Sequence, residues 1–260
     1  MVSLASAAVD VLATADPQSK VEKTFLHAAA WGDGHLSVGH CRPPERPARP
    51  ERPLLCGPGE MPKRSTGPKG RLALVHALAH IELNAIDLAW DIIARFTAND
   101  MPTDFYDEWV VVAVEEAKHY QALERRLSSW DMAYGELPAH DGLWEAAAIT
   151  ANELTARLAL IPMTLEARGI DTTPMTCQRL RQAGDSETAD ILDMIYEDEI
   201  KHLSVGVRWF EFLCTKQTLD PMAEYKRLLD QYFRGSPKGP FNIDARERAG
   251  MSTHYITPWL

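Results

Sequence analysis

The sequence has few cysteines and no motif that pairs them. Its four cysteines are scattered, and the absence of a C-x-x-C pair argues against a disulfide framework, a zinc ribbon or a rubredoxin centre. No run of 18 apolar residues is present, so no membrane-spanning helix is predicted. The chain also lacks a P-loop, a dinucleotide glycine fingerprint and an H-E-x-x-H sequence. Because no useful stretch alternates polar and apolar residues, an extensive β-sheet is excluded as well.

The composition is that of one folded, acidic protein. The chain has 260 residues, 45% of them hydrophobic, and 37 acidic side chains outnumber 27 basic ones. This length supports one large domain, or one domain with arms. Residues 1–16 are rich in alanine but carry no basic segment, so they do not predict a secretory signal. We therefore expect a cytoplasmic protein with reduced thiols and no membrane partner.

One stretch of the chain differs from the rest in composition. Between Arg42 and Arg71 there are eight prolines and eight Lys or Arg residues but three Glu, which gives this stretch a charge of +5. Proline removes a backbone donor and fixes φ, so the stretch forms neither a helix nor a central strand. It is predicted to be an extended, polyproline-like arm. The arm either lies over the acidic remainder of the chain or serves as a basic strap for an anionic partner.

Helical periodicity dominates the remainder, and we predict an all-α fold with a bundle of four long helices and extra N- and C-terminal helices. The long helices are predicted at residues 71–97, 103–129, 143–168 and 185–216, with Gly169 ending the third and a short helix following Thr173-Pro174. Asp16-Pro17 and Asp220-Pro221 each place an N-cap before a proline that begins a helix. The predicted regions are N-terminal helices (1–38), the basic arm (39–70), the bundle (71–234) and an irregular tail (235–260).

Six chemically reactive side chains occupy positions on the apolar faces of the four long helices. They are Glu82 on the first helix, Glu116 and His119 on the second, Glu166 on the third, and Glu199 and His202 on the fourth. Their neighbours at helical spacing are almost all apolar, so these side chains are predicted to point into the core. A buried carboxylate without a partner costs several kcal/mol or stays protonated. Four such carboxylates in one core therefore indicate a shared cation.

The spacing of these residues is typical of a dinuclear metal site. Two E-x-x-H sequences, on the second and fourth helices, each put a carboxylate and an imidazole one turn apart. Four-helix carboxylate proteins that hold two iron or manganese ions show this pattern, and two other helices supply one more glutamate each. Glu82 precedes Glu116 by 34 residues and Glu166 precedes Glu199 by 33, as an internal duplication of a helix pair would produce. Four carboxylates and two neutral imidazoles balance two divalent ions.

Several segments resemble a known bacterial family. They are HALAHIELNAIDLAWDI, VEEAKHY, LEARGID and YEDEIKHLSVG, joined by an MPKR sequence in the arm and by the stretch from Pro240 to Gly250. These are similar to the ferritin-like proteins grouped as domain-of-unknown-function family 455, distant relatives of the MiaE-type tRNA-hydroxylating di-iron enzymes. The resemblance implies a ferritin-like bundle and a di-metal site at the six residues named above. Two Fe ions are expected there, with Mn or a mixed Mn/Fe pair as the alternative.

Other polar residues on these helices are not predicted to be metal ligands. Tyr196, one turn before Glu199, is a candidate hydrogen-bond donor to a metal ligand or an oxidisable group, unless it serves packing alone. His76 and His80 share a side of the first long helix away from Glu82. They are interpreted as hydrogen-bonding partners near the site or as a solvated face, in preference to a separate metal site. Glu115 faces away from Glu116 and is predicted to be partly exposed.

The site allows three functions at this stage. A di-iron centre that activates O2 for hydroxylation of an unknown small molecule or modified nucleoside is favoured. A ferroxidase, peroxidase or manganese-catalase role is the second interpretation, and a non-enzymatic bundle with a structural metal the third. A tRNA substrate is possible but not favoured, because the chain carries a net charge of −10 and repels phosphate outside the arm. An oligomer is also possible.

Overall fold

The computed structural model describes residues 2–259, and helices account for most of them. In chain order they are α1 (Leu4–Leu12), α2 (Pro17–Gly32), α3 (Pro68–Arg95), α4 (Thr103–Ser128), α5 (Gly142–Ile149), α6 (Leu154–Leu160), α7 (Ala167–Gln182), α8 (Ser186–Lys216), α9 (Pro221–Tyr232) and α10 (Ile243–Arg248). Pairing of extended backbone within these residues is limited to two isolated bridges, Ser3–Ser37 and Leu55–Ala139. The predicted all-α class is therefore confirmed.

The chain divides into two compact units, Met1–Trp144 and Glu145–Leu260. In the first unit α3 and α4 form a helical hairpin joined by the short connection 96–102, and α1 packs against α3 while α2 packs against α4. In the second unit the chain from α6 to α7 packs along α8. The helices α9 and α10 pack on this pair. Each unit thus contributes one pair of long, antiparallel helical segments.

Most helix ends follow from local capping chemistry. The Asp16 carboxylate accepts a hydrogen bond from the Ser19 backbone N–H, and the Asp220 carboxylate accepts one from that of Ala223, both at 2.8 Å. Each cap precedes a proline in the first turn, as predicted. Helix α4 begins at Thr103, where the predicted range begins, and Pro102 occupies the N-cap position. Helix α3 begins at Pro68, three residues before the predicted start.

The predicted third helix, 143–168, is interrupted near its beginning. Helix α5 ends at Ile149, and four residues separate it from α6, which begins at Leu154. The buried Arg157 side chain explains the break, because it donates hydrogen bonds to the Ala147 carbonyl oxygen at 2.6 Å and to Thr150 Oγ1 at 2.9 Å. It thereby adds a bond to a carbonyl group at the end of α5, which also accepts from the Thr150 backbone N–H at 3.2 Å.

The predicted end at Gly169 is wrong, and so is the predicted separate helix after Pro174. Helix α7 runs through both residues to Gln182. Proline has no N–H, so Pro174 cannot donate a hydrogen bond to the carbonyl group of Ile170 four residues earlier. The side chain of Asn242 donates to that carbonyl oxygen instead, at 3.3 Å. Asn242 also accepts from the Ala245 N–H and begins α10, a helix that the sequence pattern of the tail does not indicate.

The proline-rich arm lies on the first unit and is bonded to it along its length. The Ala48 N–H donates to the carbonyl oxygen of Leu12 at 2.7 Å, and the Cys56 N–H donates to that of Ala139 at 2.9 Å. Arg46 pairs with Asp141, and the Arg49 guanidinium lies 2.8 Å from a carboxylate oxygen of Asp87. Through these two arginines the arm pairs with acidic residues of the first unit, as the interpretation of the arm as a cover over the acidic remainder of the chain expects.

A buried ion pair links this region to the core. Lys20 of α2 and Asp87 of α3 are both almost fully buried, and the lysine ammonium contacts the carboxylate that Arg49 also binds. Burial lowers the pKa of Lys20 and raises that of Asp87, so each charge depends on the other for compensation. The arm and two helices of the first unit are thus held together by one carboxylate.

Helix α3 is long and apolar enough, by length and composition alone, to cross a membrane. Among the described helices it alone has the length and composition of a membrane span, and 72% of its most apolar 18-residue stretch is buried inside the protein. A buried core helix of a soluble protein meets the same criteria of length and composition. The burial of α3 against α1 and α4 is therefore consistent with a soluble protein.

Candidate metal centre

The hairpin of α3 and α4 buries three of the six predicted ligands. Glu82 is 4% exposed, Glu116 2% and His119 0%. Each lies on the apolar face of its helix, where most of the residues three, four and seven positions away are also buried. The predicted burial of these side chains is confirmed. Glu115, on the neighbouring face of α4, is half-buried, as predicted.

These three side chains converge on one point. His119 Nδ1 lies 3.5 Å from a carboxylate oxygen of Glu82 and 3.5 Å from one of Glu116. One ligand atom from each of the three residues can be chosen so that all lie within 4.8 Å of one another. This separation suits atoms that surround a metal ion at roughly 2.0–2.2 Å from each ligand. The hairpin of the first unit therefore presents two carboxylates and one imidazole to a common position.

The two buried carboxylates of this cluster favour a bound cation. Burial alone would lower the pKa of His119, but the Glu116 and Glu82 carboxylates raise it to about 11. A proton on the imidazole therefore compensates part of the carboxylate charge in the metal-free protein. A divalent ion would replace that proton, since a histidine that ligates a metal is neutral.

The second unit carries the matching E-x-x-H pair on α8. His202 is buried, Glu199 is half-buried, and His202 Nδ1 lies 3.4 Å from a carboxylate oxygen of Glu199. One turn further along α8, Gly206 packs against the π-helical segment Ile161–Glu166. A Cβ at Gly206 would lie 2.7 Å from Pro162 Cβ, so only glycine permits this close approach.

Glu166 is the last residue of that π-helical segment and is half-buried. Pro162 lacks the N–H needed for a regular α-helix, and Thr164 Oγ1 donates to the carbonyl oxygen of Ala159, five residues earlier, at 2.7 Å. Such widened turns are frequent at functional sites. The sequence pattern, which continued a regular helix through this segment, does not indicate the change in helix type.

The donor chemistry fits a first-row metal ion. Carboxylate oxygen and imidazole nitrogen, with no thiolate, are ligands that suit iron and manganese. Each unit supplies one imidazole one turn from a carboxylate, and the first unit adds Glu82 from the facing helix. The six predicted ligands thus fall into two sets: Glu82, Glu116 and His119 in the first unit, and Glu166, Glu199 and His202 in the second.

The structure also places the remaining candidate residues. The Tyr196 hydroxyl accepts a hydrogen bond from the Asn242 side chain at 3.0 Å. His76 and His80 do not form a solvated face, since both are buried. His76 Nε2 accepts from the Gly135 N–H at 3.0 Å, and His80 Nδ1 lies 2.8 Å from the Tyr134 hydroxyl. These contacts involve the linker after α4, which helical periodicity does not describe.

The two buried histidines make stability depend on pH. Burial lowers the pKa of His76 and of His80 to about 4, whereas an unfolded histidine titrates near 6.5. The unfolded chain therefore binds more protons between these values, so the free energy of unfolding falls as pH drops from about 6.5 to 4. We expect a loss of roughly 1.5 kcal/mol per histidine between pH 6.5 and 5, measured by urea unfolding in the presence of a chelator.

Two variants test whether His76 causes part of this pH dependence of the free energy of unfolding. His76→Gln keeps a hydrogen-bond acceptor but cannot be protonated, so it should flatten the dependence. His35→Gln changes an exposed histidine and should leave the wild-type slope intact. Equal slopes in all three proteins would show that His76 takes up no proton on unfolding.

Fold and site together define an all-helical protein with a buried carboxylate–imidazole cluster suited to a metal ion. The chain belongs to the family described as a protein of unknown function (DUF455), which matches residues 13–257. It is similar to an uncharacterized protein of Haemophilus influenzae, with 41% identity over 219 residues that cover 82% of this chain and 76% of that protein. No solved structure matches the chain. The membership of family 455 that the sequence segments indicate is thus confirmed.

Proposed function

We propose that this protein is a ferritin-like di-iron oxygenase or hydroxylase. The observation that carries the proposal is the buried cluster of Glu82, Glu116 and His119, together with the second E-x-x-H pair at Glu199 and His202. Two iron ions would be held jointly by the two ligand sets, with Glu166 as the sixth ligand. Manganese, or one ion of each metal, is the alternative with the same donor chemistry.

Charge balance supports two ions over one. The six ligands comprise four carboxylates and two imidazoles, so two divalent ions leave no net charge, as a largely buried site requires. A single ion would leave two carboxylates uncompensated. The repeated arrangement of ligands in the two halves of the chain also favours a pair of ions, since di-metal carboxylate proteins take their ligands from two helix pairs.

The protein's own residues would bind the ions and exclude water. When bound, a pair of ferrous ions supplies electrons for the reduction of dioxygen. Glu82 and Glu116 provide anionic oxygen ligands from two facing helices, and His119 provides a neutral nitrogen. Around them, Ala79, Ile86 and Ala113 are fully buried, so bulk water does not reach the cluster through these faces of α3 and α4. A dry site preserves oxidising power for a substrate bond.

Anaerobic loading with ferrous iron tests the proposal. We expect about two iron ions per chain, consumption of dioxygen on exposure to air, and the absorption of an oxidised di-iron pair. Zinc-loaded protein, which has the same charge but no redox chemistry, is the control and should consume no dioxygen.

The same samples separate the alternatives. Two bound iron ions that neither consume dioxygen nor change absorption would contradict the oxygenase proposal and indicate a structural metal. Purified protein that contains manganese and rapidly disproportionates peroxide would instead support the catalase interpretation. Binding of one ion per chain with full affinity would contradict a dinuclear centre.

A further inference from the structure

A cavity of about 200 Å³ lies within the second unit, beside the π-helical segment. Its walls come from that segment, from α9 and from the chain that follows α9. Apolar side chains form most of its surface, among them Met163, Phe233, Phe241 and Ile256. The volume is below the roughly 300–1,000 Å³ of pockets for drug-sized ligands, so any ligand held here is small.

The charge around the cavity is unbalanced. Arg168, Lys238 and Arg246 line it, and no carboxylate does. Among residues 2–259, one carboxylate is bonded to these cations, that of Asp171, which accepts from Arg246 at 2.8 and 2.9 Å and from Arg168 at 3.1 Å. Three positive side chains therefore share one negative charge, and the cavity carries an excess of positive charge toward an anion.

The two arginines differ in how much of their hydrogen-bonding capacity is used. All three nitrogens of the buried Arg246 guanidinium donate, to Asp171, to the Ala167 carbonyl oxygen and to the sulfur of Met251. Arg168 donates through Nη1 alone, to Asp171 and to the carbonyl oxygens of Lys238 and Pro240. Its Nε and Nη2 donate to no acceptor among residues 2–259. This pair of parallel donors matches the two oxygens of a carboxylate.

Two further polar side chains of the cavity, Thr164 and Tyr225, already have hydrogen-bond partners. Thr164 donates to the Ala159 carbonyl oxygen at 2.7 Å, and the Tyr225 hydroxyl lies 2.8 Å from Thr164 Oγ1. Burial raises the pKa of Tyr225 to about 12, so this hydroxyl remains neutral at physiological pH. These two side chains therefore offer a ligand no charge. The charged end of a ligand has its partners at Arg168 and Lys238, and its remainder meets apolar side chains.

We propose that this cavity is a binding site for a small hydrophobic carboxylate, held by Arg168 and Lys238. A compact inorganic anion would leave the apolar walls without contacts, and an uncharged molecule would leave the donors of Arg168 without acceptors. The site is independent of the metal proposal, since every residue that lines it belongs to the second unit and none is a proposed ligand. The π-helical turn that walls it does, however, also carry Glu166.

Calorimetric titration of the full-length, metal-free protein with hexanoate tests the site. We expect saturable binding of one molecule per chain at millimolar or lower concentration. Hexan-1-ol has the same hydrocarbon part without the charge and should bind roughly tenfold or more weakly, because bonds to charged groups are among the stronger ones. Acetate and inorganic phosphate carry the charge without the apolar part and should also bind more weakly.

Three variants locate the binding. Lys238 is exposed and makes no side-chain bond among the described residues, so Lys238→Gln should weaken hexanoate binding by about threefold to fivefold without affecting the fold. Ser236→Trp places a bulky ring among the lining residues and should abolish binding. Lys226→Gln removes the same charge from α9 outside the cavity and should change nothing.

Several results would overturn the proposal. They are absence of hexanoate binding, equal binding of hexan-1-ol, equal binding of phosphate, and unchanged binding in both Lys238→Gln and Ser236→Trp. If Ser236→Trp loses its helical circular dichroism, the comparison of Lys238→Gln with Lys226→Gln decides. Because metal-free protein is used, a failure of iron to bind would contradict the proposed function and leave this test unaffected.

Discussion

Replacing Glu116 or His119 by alanine is expected to abolish stoichiometric binding of iron. Both side chains are buried, and both lie within 4.8 Å of a ligand atom of Glu82. Loss of a residue that only orients a ligand typically costs 10–100-fold in metal affinity, so loss of a ligand itself should cost more than about 100-fold. Elemental analysis after iron loading and desalting measures the bound metal directly.

Glu115→Ala is the matched control for this experiment. It removes the same side chain from the adjacent position of α4, where the residue is half-buried and lies on a different face. The control should retain full metal binding. All three variants should keep the helical circular dichroism of the wild type, because alanine is the strongest helix former. If Glu115→Ala lost metal as Glu116→Ala does, the assignment of ligands by helix face would be wrong.

A variant in the second unit tests whether the two ligand sets bind the metal ions jointly. His202→Ala alters the second unit alone, yet a shared centre predicts that it also abolishes stoichiometric binding and removes the magnetic coupling between the irons. Retention of one tightly bound ion at Glu82, Glu116 and His119 would show that the first set acts independently. The outcome separates a dinuclear centre from two unrelated sites without reference to catalysis.

The sequence predicted the features that depend on short-range periodicity. The burial of Glu82 and Glu116 follows from neighbours three and four residues away, since these determine the face of a helix. The N-caps at Asp16 and Asp220 depend on the next three residues and were also predicted. The all-α class follows from the same patterns, as does the hairpin of α3 and α4 with its short connection.

Features that depend on distant residues could not be predicted in this way. Proline normally ends a helix, but at Pro174 a side chain 68 residues later in the chain, that of Asn242, bonds the carbonyl group that proline leaves without a partner. The cavity likewise needs the segment after α9 to fold back on the π-helical turn. A weak signal existed for Asp87, a charged residue between Ile86 and Leu88 in a mainly apolar part of α3. Nothing in its local pattern identified Lys20 as the partner.

Removal of the Lys20 side chain is expected to cause the largest loss of stability in the first unit. In Lys20→Met the buried Asp87 carboxylate would keep Arg49 as its cationic partner but lose the ammonium group. Breaking a buried ion pair from one side costs about 3–5 kcal/mol, and the remaining arginine places the expected loss near 3 kcal/mol at the lower end of that range. Urea unfolding of the metal-free protein near pH 7 measures the change.

A neighbouring lysine on the same helix provides the comparison. Lys23 pairs with Asp10, and both side chains are more than one-third exposed, so Lys23→Met should cost no more than about 1 kcal/mol. In the double variant Lys20→Met with Asp87→Asn, no uncompensated carboxylate remains, and the neutral amide can still accept a bond from Arg49. Most of the lost stability should therefore return, because the expected penalty comes chiefly from the isolated charge and less from the missing contact. A loss in Lys20→Met no greater than in Lys23→Met, or no recovery in the double variant, would contradict this account of the ion pair.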